Sequence, residues 1–297
     1  MTLLLGSLQL GLLYGILGLG IYISFRILST PDLTTEGSFA FGLAVSAAVT
    51  AAGHPILALP AALAAGALAG CVTGFLQTKL RIHPILAGII TMSGLYSVNL
   101  LVLGGASNLS LVRTDTIFKL IPGLAKDQAM TVLSIAASVI CLVLVILFFK
   151  THLGMCIRAV GDNEDMVRAS SINTDACKIL AFCLSNGLIA LSGGLIAQYQ
   201  GYADISSSTG ILVVGLASVI IGEAIFGRRS VAVGFLSAIV GSIIYRYIIA
   251  LATRYSPLPA YMLKLVSAVI VALALAIPAI RFYAARAKQK RGGRTHA

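Results

Sequence analysis

The sequence predicts an all-α polytopic membrane protein of about nine transmembrane helices, arranged as two inverted repeats of about four helices with one helix between them. Three observations predict this. Mean hydropathy is +0.99 and 58% of residues are hydrophobic, too apolar for a fold whose whole surface meets water. Apolar runs of about 20 residues, enough for a helix to cross hydrocarbon, follow one another from Leu3 to Ile280, without the alternation of a membrane barrel. Two similar polar tracts interrupt the runs, one in each half of the chain.

The predicted helices cover 3–25, 37–53, 55–78, 84–104, 129–149, 176–199, 209–226, 231–250 and 259–280. An eight-helix arrangement with 37–53 only half inserted fits the same pattern. The first run lacks a basic leader and an A-x-A cleavage site, and reads as a retained helix. Basic residues set the orientation. With the carboxyl terminus inside, fifteen fall on the cytoplasmic side: Arg26, Lys79, Arg81, Lys150, Arg158, Arg168, Lys178, Arg228, Arg229 and six in the tail 281–297. Four fall outside: Arg113, Lys119, Lys126 and Arg254. Arg246 and Lys264 lie near outer helix ends and can snorkel.

The polar tracts are TPDLTTEGSFAFG, residues 30–42, and YADISSSTGILVVG, residues 202–215. Each runs from an aspartate through hydroxyl and glycine residues into an apolar helix, and the topology sets them on opposite sides. That is the signature of inverted repeats with broken helices around a central path, although turns between helices also collect these residue types. The path candidates follow: Asp32, Thr34, Thr35 and Ser38, with Glu36 beside them; Thr91, Tyr96 and Asn99, with Ser93, on one broad helix side; and Ser206 and Ser207, continuing to Ser208 and Thr209. Glu223 stands within a predicted span, one turn from Arg228 and Arg229, where an ion pair would offset its burial.

Between Arg158 and Asn173 five residues are charged, in a chain with 10% charge overall. Asp162 or Asn163 suits a helix N-cap, Glu164 and Asp165 suit the first turn, and Asn173 or Thr174 caps the next helix. Met166, Val167 and Ala169 give this short helix a small apolar face fit for a partner's groove.

The stretch LGMCIRAVGDNEDMVRASSIN, residues 153–173, resembles the coupling-helix region of branched-chain amino acid type ABC transporter permeases, relatives of ribose and vitamin B12 importer permeases. The tract 30–42 and GILVVGLASVIIGEAIFG, residues 210–227, share the resemblance, which extends from about 3 to 280. It implies a permease domain over 1–280, a basic cytoplasmic tail over 281–297, and a multi-pass place in the bacterial inner membrane. It implies import of a small polar solute, an amino acid or related compound first among the candidates. The implied partners are ABC ATPase subunits, an extracytoplasmic solute-binding protein, a second permease copy or paralogue, and membrane lipid. Coupling to the ATPase would fall to Arg158, Gly161, Asp162, Asn163, Met166, Val167, Arg168, Ala169 and Asn173. Ser171 departs from the family, in which glycine often precedes the Ile-Asn pair.

The alternative is an ion-coupled secondary transporter, which needs a central carboxylate or cation site. No G-x-x-x-x-G-K-[ST] phosphate loop and no H-E-x-x-H pair occur, so no catalytic group and no metal site is expected, and ATP with Mg would belong to the partner ATPase. The formal charge of +11 is concentrated toward the cytoplasmic side and the tail, which favours anionic lipid over nucleic acid. The five cysteines are odd in number, lie in or near apolar runs, and read as reduced packing residues. The topology predicts that, once native cysteines are removed, a cysteine at Asn108 reacts with an impermeant thiol reagent from outside. One at Gly292 reacts only after the membrane is opened; the reverse pattern refutes the orientation.

Overall fold

The computed structural model describes residues 2–119, 126–227 and 230–255, with Leu265, Ala268, Val269, Ala272 and Ala276 as isolated positions beyond. The expected helix over 259–280 falls outside the described residues except at these five positions. The tail 281–297, Arg228 and Arg229 fall outside them altogether.

The other eight expected helices are all present, with ends within a few residues of expectation. α1 (Thr2–Ile21) runs on as a π-helical turn, Tyr22–Ile27. α2 is Thr35–Ala51, α3 Ala58–Thr78, α4 Pro84–Val102 and α5 Lys126–Lys150. Two short helices follow, α6 (His152–Asp162) and α7 (Glu164–Ala169), then α8 (Thr174–Gln200), α9 (Ile211–Phe226) and α10 (Val231–Tyr255). Seven segments among the described residues are long and apolar enough to cross a membrane. The 17 residues of α2 make it about 25 Å long, short of a hydrocarbon core of about 30 Å.

The core is built around α8, which packs on α1, α2 and α3. Its contact with α1 is antiparallel. Hydroxyls of Ser185 and Ser192 donate to the carbonyls of Gly20 and Leu13 at 2.7 and 2.8 Å, and Tyr199 donates to Gln9 Oε1 at 2.7 Å. Partner numbers fall along α1 as they rise along α8. Small residues let backbones meet where hydrocarbon provides no hydrophobic drive between helices. A Cβ on Gly42 of α2 would lie 1.9 Å from the Ala190 carbonyl oxygen, and one on Gly70 of α3 would lie 2.1 Å from that of Phe182.

The packing repeats under exchange of the two halves. α3 lies on α8 as α10 lies on α1, and α2 on α3 as α9 on α10. Because α1 and α8 are antiparallel, the exchange inverts direction. α5, the helix between the halves in sequence, sits against α1 with most of its surface outward. Two three-residue strands, β1 (Asn108–Ser110) and β2 (Tyr202–Asp204), pair antiparallel beyond the carboxyl end of α8, with Leu109 opposite Ala203. Three residues were too few for the hydrophobic pattern to announce.

Gly42→Ala is expected to destabilise the protein by about 1–3 kcal/mol, because the clash is with backbone. Gly94→Ala, in α4 with nothing within 4 Å, is neutral or gains up to about 1 kcal/mol. Melting temperatures of the two variants in detergent check this contrast.

Candidate functional site

The first polar tract breaks the chain inside the bundle. After Ile27 the backbone turns, and Asp32 closes the start of α2: its Oδ1 accepts from the Thr34 N–H at 2.9 Å and its carbonyl from the Thr35 hydroxyl at 3.0 Å. Asp32 Oδ2 accepts from Asn186 Nδ2 at 2.7 Å, and Ser38 donates to Asn186 Oδ1 at 2.7 Å. The hydroxyls of Thr34 and Thr73 meet at 2.8 Å. Asn186 is near the middle of α8, so this network joins the start of α2 to the interior of the bundle. Asp32, Thr34, Thr35 and Ser38 are at most 4% exposed. Their polar atoms face one another, which takes these side chains off any lining surface in this conformation. Thr91, also buried, donates back to the Ala87 carbonyl at 3.0 Å.

Glu36, in the first turn of α2, points elsewhere. Its Oε1 accepts from the N–H of Gly210, the residue before α9, at 2.9 Å, so the starts of the two repeat-related helices are tied together. Gly210 has φ +86, open to glycine at little cost. Beside this contact lies a cavity of about 500 Å³, lined by residues from both polar tracts and from the polar side of α4: Glu36 and Gly37; Ser206, Ser208 and Thr209; and Ser93, Tyr96 and Asn99. Met92, Ala40 and Ile205 supply its apolar wall, and Ser107 joins from the strand side. Asn99 is 1% exposed, and its Oδ1 accepts no hydrogen bond. Ser207 lies apart, exposed and donating to the Asp204 carbonyl at 2.6 Å. Of the nine path candidates, the cavity thus gathers Tyr96, Asn99 and Ser206.

At the opposite end of α8, α6 and α7 form a protrusion. Asn163 is the cap of α7, accepting from the Met166 N–H at 3.0 Å, and Asn173 caps α8, accepting from the Ala176 N–H at 3.1 Å. Helical structure begins at His152, earlier than expected, so Arg158 lies within α6. Arg158, Asp162, Met166, Arg168 and Ala169 are exposed, and Arg168 pairs with Glu164 at 3.0 Å. Val167 corrects the expected apolar face: it is 3% exposed and turned into the core, while Met166 is 63% exposed. Successive residues of a helix lie about 100° apart around its axis, and the seating of α7 turns Val167 inward and Met166 outward. Gly161 is also inward, packed so closely that a Cβ would meet the Ile27 carbonyl oxygen at the inner end of α1. One residue before it, Arg26 donates from Nε to Glu223 Oε1 of α9 at 2.7 Å, with a second bond between the same groups. Glu223 is therefore tied to the opposite half of the chain.

A family model described as branched-chain amino acid transport system / permease component matches residues 3–276. This chain belongs to that family. The permease is 38% identical over 266 residues to the tyrosine transport system permease protein of Clostridioides difficile (strain R20291), covering 89% of this chain and 88% of the relative. It is 30% identical over 260 residues to the galactofuranose transporter permease protein of Escherichia coli (strain K12), covering 84% and 72%. The fold is shared with PsaBC from Streptococcus pneumoniae solved in complex with Fab, at TM-score 0.55 and 18% identity, covering 92% of this chain and 89% of that one. Membership decides the coarse question posed by the sequence: the permease is an ABC transporter membrane subunit, a multi-pass protein of the inner membrane, and not an ion-coupled carrier.

Sequence reading passed over Asn186 and Thr73, although an amide near the middle of a 27-residue apolar helix is the signal that marks such a position. Among the described residues no cluster of His, Cys, Asp and Glu fits a metal ion. Ser171, the departure from the family pattern, adopts φ +61 in the turn between α7 and α8. A side chain there costs about 1–2 kcal/mol. Ser171→Gly is expected to raise stability by about 1 kcal/mol, and Ser171→Val to lower it further, read from thermal melts of the purified permease.

Proposed function

We propose that the permease forms the membrane path of an importer for an amino acid or related small polar solute, driven by separate ABC ATPase subunits that hold ATP and Mg. The observation that carries this reading is the protrusion of α6 and α7. Capped at Asn163, it presents Met166 among Asp162, Asp165 and Arg168 on the side the basic residues mark as cytoplasmic. An exposed apolar residue ringed by charge suits a hydrated groove on another protein. Gly161 against Ile27 gives it a firm seat on α1. The coupling residues are then Arg158, Asp162, Met166, Arg168 and Ala169 at the contact, with Gly161, Asn163, Val167 and Asn173 holding its shape.

The solute would pass the cavity beside Glu36, Tyr96, Asn99 and Ser206. The chemistry of an amino acid is supported by the 38% identical tyrosine permease, against more distant relatives named for sugars. A second copy of the permease or a paralogue completes the path, an extracytoplasmic binding protein delivers the solute, and lipid covers the outward faces of α4 and α5.

Met166→Asp is expected to leave membrane insertion intact while weakening association with the ATPase at least about tenfold and reducing ATP-driven uptake in parallel. Val167→Asp instead buries an unpaired charge and lowers the melting temperature of the permease itself. Co-purification, uptake into proteoliposomes and thermal melts separate the two. Normal ATPase binding by Met166→Asp overturns the coupling assignment.

A further inference from the structure

We propose that the cavity between α2, α4 and the turn at 205–208 binds a primary ammonium group of the solute, with the Glu36 carboxylate and Asn99 Oδ1 as its acceptors. The proposal rests on the reading of this chain as an amino acid permease and names the group recognised. Asn99 is 1% exposed and lines the cavity, yet its Oδ1 has no donor. A buried acceptor without a partner is unfavourable, and a ligand N–H removes that cost. Glu36 is the sole charged residue lining the cavity among the described residues. Its Oε1 is held by the Gly210 N–H, which fixes the carboxylate in place and leaves Oε2 available to the cavity.

A fixed anion with no lining cation beside it favours a cationic ligand over a neutral or anionic one. The three N–H donors of an ammonium suit a carboxylate, an amide oxygen and a hydroxyl together, and Ser93, Ser206 and Thr209 supply the hydroxyls. Met92, Ile205 and the ring of Tyr96 offer contact to an apolar or aromatic side chain, and about 500 Å³ lies within the range of small-molecule sites. A sugar would find the hydroxyls and the amide but would gain little from the charge.

The test measures binding to the full-length permease in lipid nanodiscs, with L-tyrosine, L-leucine, tyramine, 3-(4-hydroxyphenyl)propionate and D-ribose as probes. At least one of the two amino acids, and tyramine, are expected to bind, with the deaminated acid and ribose at least tenfold weaker. Glu36→Gln keeps the oxygen that caps Gly210 and is expected to weaken amine binding roughly tenfold to a hundredfold without moving the melting temperature. Asn99→Leu is expected to weaken it at least tenfold, and Glu36→Asp to restore part of the loss. Equal binding of the deaminated acid or of ribose, binding of no probe, or unchanged affinity in Glu36→Gln overturns the site. The comparison of probes on the unaltered protein stands even where a variant folds poorly. ATP-driven uptake with the partner ATPase distinguishes the two levels. Normal amino acid uptake by Glu36→Gln removes the site and leaves the permease reading, whereas absence of amino acid uptake by the unaltered protein removes the reading.

Discussion

A helix start buried among other helices leaves backbone donors with no water to meet them. Asp32 resolves this for the break between α1 and α2. It closes the amino end of α2 with one carboxylate oxygen and holds Asn186 of α8 with the other. Ser38 returns to the same amide, so one aspartate, one asparagine and one serine fix the start of α2 against the most buried helix of the bundle. Everything functional downstream in α2 inherits that placement. Glu36 reaches Gly210 because α2 begins where it does, and the cavity exists because the starts of α2 and α9 are brought to the same place.

The division of labour among acidic residues follows from the number of partners each one finds. Asp32 is spent on structure, with bonds to a backbone N–H and a side-chain amide. Glu223 is matched by Arg26 across the two halves. Glu36 has one oxygen held and faces a space. Composition alone makes these three carboxylates look equivalent. Their surroundings separate a structural group, an ion pair and a group that faces a cavity.

Much of the fold was legible in the sequence because the bilayer imposes a length. Apolar runs of about 20 residues favour spanning helices, and eight helices were located within a few residues of their ends, seven of them in segments long and apolar enough to span. The inverted halves were legible for a related reason, since hydroxyl and glycine tracts are tolerated at membrane depth only where protein surrounds them. What could not be read was which way individual polar side chains turn. Asp32 and Glu36 are four residues apart across the start of α2, and only the position of Asn186, 154 residues beyond Asp32, decides that the first is sealed in. Val167 and Met166 are neighbours, and the packing of α7 against the core decides which faces out. The β1 and β2 pair joins segments nearly a hundred residues apart, with no local pattern to predict their meeting.

The inner end of α1 carries two fastenings within a single turn. The carbonyl of Ile27 lies against Gly161 of α6, and Arg26 grips Glu223 of α9. A force applied from below to the α6–α7 unit therefore arrives at a junction shared by both inverted halves. It is handed to a helix of each at once, much as a yoke divides one pull between two shafts. Whatever bends this unit need not act on the two halves separately, because the chain has already harnessed them together.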